Sequence, residues 1–258
     1  MNAMRLLQLL VCLATLGAAT IAQSGASSVT ENSKEALGAN ERGVELVKSG
    51  KYRDAAEEFE RAVKLSPKFA VAYNNLGATY NSLARYVEAI RVLKRALELS
   101  PNYAEAHYDL GVAFQSLGRY AEAIEAYQHA INLKPNFVQA YSRLGSAYYD
   151  NHQRDRAKRY YQEAIRIDPE YAEAYNNLGT AQAESGHFRG ATENFERAIK
   201  LKPGLAVAHY NLGVVSLWAK RREVALSQYR LLTFLNSTLA DELYRGIYQG
   251  KILALSIR

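Results

Sequence analysis

AYNNLGATYNSLARYVEAIRVLKRALELSP (residues 72–101) and AHYDLGVAFQSLGRYAEAIEAYQHAINLKP (residues 106–135) align without a gap, position i of the first answering to i+34 in the second. Each stretch carries two helical faces. In the first, Tyr73, Leu76, Gly77 and Tyr80 fall at i, i+3, i+4 and i+7, and Ala89, Leu93 and Ala96 fall at i, i+4 and i+7. Those intervals are the period of a helix side, not of a strand. Between the two faces lies a turn around Ala84, and equivalent places along the chain hold Gly50, Gly118 and Gly186, as suits a left-handed helix C-cap. The proline that ends each stretch cannot continue a helix. The unit is therefore helix, turn, helix, stop.

The same period runs outward in both directions. All five prolines (Pro67, Pro101, Pro135, Pro169, Pro203) keep that one interval, and Gly43, Gly77, Gly111, Gly145, Gly179 and Gly213 repeat in phase, as do Ala55, Ala89, Ala123, Ala157, Ala191 and Ala225. Six units fit: 36–69, 70–103, 104–137, 138–171, 172–205 and 206–239. Evenly spaced helix-breakers mark a stack of equal units. One helix pair cannot bury its own apolar face, so neighbours must stack. Glycine and alanine let the two helices approach closely, and aromatic side chains fill the space beside them. The spacing thus predicts an all-α solenoid of six helix-turn-helix repeats. Beyond it, 240–258 reads as a cap and tail. Leu239, Leu243 and Ile247 keep a helical rhythm to about Gln249, and Lys251–Arg258 is either more helix or an apolar tail.

These units resemble tetratricopeptide repeats. The family's pattern of aromatic, Leu-Gly, aromatic, alanine, aromatic, alanine and proline runs through both quoted stretches and, in varying completeness, about 204 of the 258 residues. The ends depart from it. Ala39 and Arg42 stand where an aromatic and a leucine belong, Gln182 and Ser216 replace the second aromatic, and Ser237 replaces a proline. The resemblance implies a right-handed superhelix whose first helices line a concave, protein-binding surface.

The N-terminus lies outside the period. Leu6–Ala22 (LLQLLVCLATLGAATIA) is uncharged and apolar after a weakly basic start, with Thr20 and Ala22 spaced as a signal peptidase accepts. Residues 1–22 read as a secretory signal peptide, which places the chain in an exported compartment, periplasmic or secreted. The alternative is a membrane anchor over 6–22. Residues 23–35 (QSGASSVTENSKE) are polar and read as a linker. Cys12 is the only cysteine, so removal of the leader leaves neither disulfide nor thiol chemistry. The composition, 48% hydrophobic and 22% charged, is that of a folded chain. Loss of Arg5 leaves 31 − 26 = +5, too mild to point to nucleic acid. The sequence sets no oligomeric state.

No catalytic motif is present: there is no HExxH, GxSxG or phosphate loop. Of the five histidines, two fall at aromatic core positions and two in turns, read as packing or solvated groups rather than a metal site, and no cofactor is implied. Function then rests on the face of each first helix opposite its core stripe, stepped at i, i+4, i+7 and i+11. On it Asn75, Asn177 and Asn211 are equivalent, while Asp109 and Arg143 interrupt the series. Some members of the family hold an extended peptide by such an asparagine ladder, since an amide donates and accepts at once. The alternative is that asparagine before Leu-Gly is merely common in this repeat. The stripe carries six acids (Glu41, Glu105, Asp109, Asp150, Glu173, Glu184) and two bases (Lys48, Arg143), net −4 against +9 for the rest of the mature chain. That balance favours a neutral or basic segment. It also opposes a carboxylate clamp, for which Arg143 has no lysine partners. Trp218 ends the stripe, as a ligand anchor or, in the preferred reading, packed under the capping helix. The leading expectation is a non-enzymatic scaffold binding a protein or peptide. The alternative is a permanent subunit or assembly factor of an envelope or secretion complex, joined through convex faces and the Tyr244–Arg258 tail.

Overall fold

A computed structural model describes residues 31–249 and 253–255. The expected leader over 1–22, the part of the expected linker over 23–30, and 250–252 and 256–258 of the tail lie outside the described residues. Helix α1 covers 31–48 of those described. After it come α2 (Tyr52–Leu65), α3 (Ala70–Ser82), α4 (Tyr86–Leu99), α5 (Ala104–Ser116), α6 (Tyr120–Leu133), α7 (Val138–Asp150), α8 (Arg154–Ile167), α9 (Ala172–Glu184), α10 (Phe188–Leu201), α11 (Ala206–Trp218), α12 (Arg222–Leu235) and α13 (Ser237–Gln249). The described residues contain no strand. They form two compact units, one ending at Pro101 and one beginning at Asn102. In the first unit α2 packs on α3 and α3 on α4. In the second, each helix from α5 to α13 packs on its successor, and the first helices of successive pairs also meet: α5 with α7, α7 with α9, and α9 with α11. This is the stacked helix-pair solenoid that the repeat period predicts.

The repeated glycines make the crossings possible. A Cβ added at Gly43, Gly111, Gly145 or Gly179 would sit 2.6–2.8 Å from the ring of Phe59, Tyr127, Tyr161 or Phe195, each at i+16 from its glycine. Leu93 takes the same place over Gly77. All five large side chains are buried, each contributing about 1.5–3 kcal/mol by burial. The in-phase alanines beside them have no exposed surface. At the turns, Gly50, Gly118 and Gly186 have φ of 72–80°, as read from the sequence. Ala84, His152 and Lys220 adopt φ of 57–60° at the same position. The turn geometry therefore overrides the residue preference at every second unit.

The last repeat breaks the rule. The notch at Gly213 is filled by Leu243 of α13, at 2.6 Å from the added Cβ, rather than by Tyr229. Leu243, Ala240 and Ile247 are buried with Tyr210, Val214 and Leu232. Leu253 joins them, so residues 253–255 are a non-helical, packed segment and not more helix. Helix α13 starts at Ser237, ahead of the expected boundary of the cap at Leu239. In place of the missing proline, Asn236 accepts the Leu239 N–H on its Oδ1 at 3.0 Å, a side-chain N-cap. At the other end, 31–35 of the expected linker are helical and exposed. Their polar residues extend α1 outward, with Glu35 3.7 Å from Arg61.

Leu243→Ala removes the side chain that closes the last notch. It is expected to cost about 2–5 kcal/mol, read as lost hydrogen-exchange protection across α11 and α13. Unchanged protection there would remove α13 from the role of cap.

Candidate functional site

In the first unit, the open stripe mixes apolar side chains with the exposed Glu41 and Lys48. Val44, Ala78 and Ser82 line a 250 Å³ concavity with Val47, Tyr52 and Phe59, and Leu37 and Val71 stay exposed. Asn75 does not face out freely: its Nδ2 donates to Asn40 Oδ1 at 2.9 Å. Lys48 pairs with Glu45 at 2.7 Å. A wider concavity of 790 Å³ borders α1 at Gly38, Asn40, Glu41 and Arg42, but Arg42 is already paired with Glu58 at 2.8 Å.

The second unit holds the polar site. Arg143, Asp150, Glu173 and Asn177, all singled out from sequence, line one 120 Å³ cavity together with Gln115, Ser142, Ser146 and Tyr171. Helices α5, α7 and α9 carry all of these but Tyr171, which stands at the start of α9. The floor is held in place from beneath. The Tyr127 hydroxyl donates to Gln115 Oε1 at 2.9 Å, and Gln115 Nε2 donates to Asp150 Oδ2 at 2.8 Å. The Tyr161 hydroxyl donates to Ser146 Oγ at 3.2 Å, which in turn donates to the Ser142 carbonyl. Arg143 sits beside the Tyr108 hydroxyl and forms no ion pair among the described residues.

The asparagine series is corrected by its partners. Asn211 is fully enclosed, and its Nδ2 donates to Asn176 Oδ1 at 2.9 Å and to Thr180 Oγ1 at 3.3 Å. It joins α11 to α9 and presents nothing to a ligand. Asn75 and Asn40 repeat this link in the first unit with the same 35-residue separation. Asn177 differs. It is 4% exposed and accepts from Asn176 Nδ2 at 3.1 Å. Its own Nδ2 has no hydrogen-bond partner among the described residues.

The acidic balance is corrected as well. In the second unit the stripe alone sums to five acids against Arg143, or −4. Glu105 pairs with Lys134 at 2.8 Å, Glu173 with Lys202 at 2.7 Å, and Glu184 with Arg154 at 3.0 Å. Counting these three bases leaves −1. Lys134 and Lys202 lie just before their prolines, at the far end of the repeat from the acids they meet, and a stripe drawn along first helices alone misses them. Gln115 and Ser142 were missed because they lie to one side of the stepped positions.

Titration on the floor follows burial. Burial first, and the Glu105 carboxylate second, push Asp109 from 3.8 up to about 7. Burial also raises Asp150, partly opposed by the Gln115 hydrogen bond and by Arg143. Tyr171 is pushed up to about 12 by burial and then by Glu173. Trp218 is not under the cap. Leu217 packs there instead, while Trp218 is 39% exposed and meets Phe188 edge-on at 6.0 Å. Among the described residues, no group of three or more His, Cys, Asp or Glu is placed to hold a metal, and no helix is long and apolar enough to cross a membrane.

Asp109 has its pKa raised on folding, so its favourable contribution is whole below about pH 4 and is lost as pH rises through about 7. Asp109→Asn is therefore expected to raise the melting temperature at pH 8 and to leave it unchanged near pH 4. An Asn variant less stable at pH 8 would contradict the half-buried, charge-strained setting of this carboxyl.

Known proteins share the architecture. Profiles of the tetratricopeptide repeat match residues 68–136, 138–167 and 172–205, and a TPR repeat profile matches 43–83 and 155–186. No curated protein matches the chain. Among solved structures, MamA is 29% identical with a TM-score of 0.56, over 62% of this chain and 94% of that one. YrrB, described as a TPR protein with an unusual peptide-binding site, is 26% identical with a TM-score of 0.53, over 74% and 99%. PilF of Pseudomonas aeruginosa, at 16% identity, a TM-score of 0.69 and coverage of 83% and 98%, shares the fold. Together the profiles run from residue 43 to 205, in phase with the glycine notches and the proline stops, and the chain belongs to the tetratricopeptide repeat family.

Proposed function

We propose that this chain is a non-catalytic scaffold that holds an extended protein segment across α5, α7 and α9, over Arg143. The observation that carries the reading is the pairing of two donors that no acid takes, the Arg143 guanidinium and Asn177 Nδ2, on a floor whose other polar groups are largely engaged. Repeats of this family serve in general as protein-interaction surfaces, and YrrB is a peptide-binding relative. With Glu105, Glu173 and Glu184 each paired with a base, the floor of the second unit suits a neutral segment better than a strongly basic one. The apolar leader supports an exported location. N-terminal sequencing of the protein from its own cells is expected to begin at Gln23, whereas a start within residues 1–5 would favour the anchor.

The test of binding is affinity capture from the cell envelope with the wild-type chain and with Arg143→Met, which keeps the stem and removes the charge. Retained proteins are expected to drop out with the variant. Identical capture by both would remove the floor from the interaction.

One observation favours the second reading, a permanent contact within an assembly. Positions equivalent to Phe234 hold Lys64, Glu98, Asn132, Arg166 and Lys200, and those equivalent to Leu231 hold Arg61, Arg95, His129, Glu163 and Arg197. The sixth repeat alone places apolar side chains there, and Phe234 is 90% exposed. Capture that survives Arg143→Met and is lost with Phe234→Lys would support this reading over the first.

A further inference from the structure

We propose that the cavity over Arg143 is a side-chain pocket for a primary carboxamide, the side chain of a glutamine or asparagine in the bound segment. This rests on the reading of the floor as a protein-binding surface and adds what the floor selects. The pocket offers two kinds of group. The Arg143 guanidinium and Asn177 Nδ2 donate. Asp150 and Glu173 accept, each with one oxygen already engaged, by Gln115 at 2.8 Å and by Lys202 at 2.7 Å. Their charges nearly cancel, since Lys202 offsets Glu173 and Arg143 offsets Asp150.

Each alternative occupant leaves something unmatched. A carboxylate satisfies the donors but faces two carboxylates. An ammonium or guanidinium satisfies those carboxylates but meets Arg143. An apolar side chain strands the Nδ2 of Asn177, a residue only 4% exposed whose amide nitrogen has no partner among the described residues, and an unmade buried bond is costly. A backbone amide brings one N–H for two acceptors. A primary carboxamide is neutral, and its carbonyl takes the donors while its two N–H groups supply one bond to each carboxylate. The volume agrees. A cavity of roughly 150 Å³ holds benzene, and 120 Å³ suffices for a smaller planar group. Gln115, Asn176 and Lys202 hold the pocket's Asp150, Asn177 and Glu173 by bonds of 2.7–3.1 Å, so little ordering is left for binding to do.

The test uses the full chain, labelled with nitrogen-15, and N-acetyl-glutamine N-methylamide as the probe. Saturable shifts of the Arg143 Nε–H and Asn177 side-chain amide signals are expected. The matching glutamate and lysine probes are expected to bind about tenfold more weakly. Asp150→Asn removes one acceptor charge without changing shape and should move the preference toward the glutamate probe by about tenfold. That gain cannot arise from a misfolded variant. The proposal is overturned by no saturable shift with the glutamine probe, by equal or tighter glutamate binding to the wild type, or by an unchanged preference in Asp150→Asn. Because the probe needs no cellular partner, the two readings fail separately. Probe binding without any captured protein removes the scaffold and keeps the pocket, and capture without probe binding removes the pocket alone.

Discussion

The contact between a glycine on each first helix and the large side chain at i+16 is the constraint on which the structure depends. At Gly145, the Tyr161 ring lies 2.7 Å and the Ala157 carbonyl 3.2 Å from where a Cβ would stand. No larger residue fits without moving a helix. Repeated along the chain, this notch sets how closely each pair crosses and hence how each first helix is rotated. Rotation decides which residues face the ligand side. Arg143 and Asn177 reach one cavity because Gly145 and Gly179, each at i+2, sit in their notches against Tyr161 and Phe195. At the end of the stack the notch still needs filling, and Leu243 of the cap does so when Tyr229 turns instead toward Tyr244.

Polar chemistry on the floor is divided between holding the stack and meeting a partner. Asn75 and Asn211 spend their amides on the neighbouring first helix, and Glu105, Glu173 and Glu184 spend much of their charge on nearby bases. These exposed ion pairs add little stability, since screened surface pairs contribute at most about 1 kcal/mol. Their larger effect is to bring the floor close to neutral. What remains is a small set of groups in the middle of the second unit, where Arg143 and Asn177 line one cavity with Gln115, itself held by Tyr127.

Most of the fold was legible because period and residue size carry it. Prolines, glycines and alanines at fixed intervals determine helix ends and crossings whatever lies between them. The misses fall where one local contact overrides the repeat. Asn236 caps α13 and moves its start to Ser237, and the polar stretch over 31–35 winds as helix although nothing buries it. The site was legible in part. Stepping along one helix face found Arg143, Asp150, Glu173 and Asn177, because a face is a property of one helix. It could not separate Asn177 from Asn211. That difference depends on Asn176 and Thr180, which reach across from the preceding first helix. Nor could it find Lys134 or Lys202, whose approach to the stripe depends on how the second helix returns.

The most direct measurement is backbone hydrogen exchange of the chain with and without its captured partner. Binding over the polar floor predicts slowed exchange concentrated in α5, α7 and α9, centred on Arg143 and Asn177. Slowed exchange confined to α12 around Leu231 and Phe234, with α7 unchanged, would contradict it.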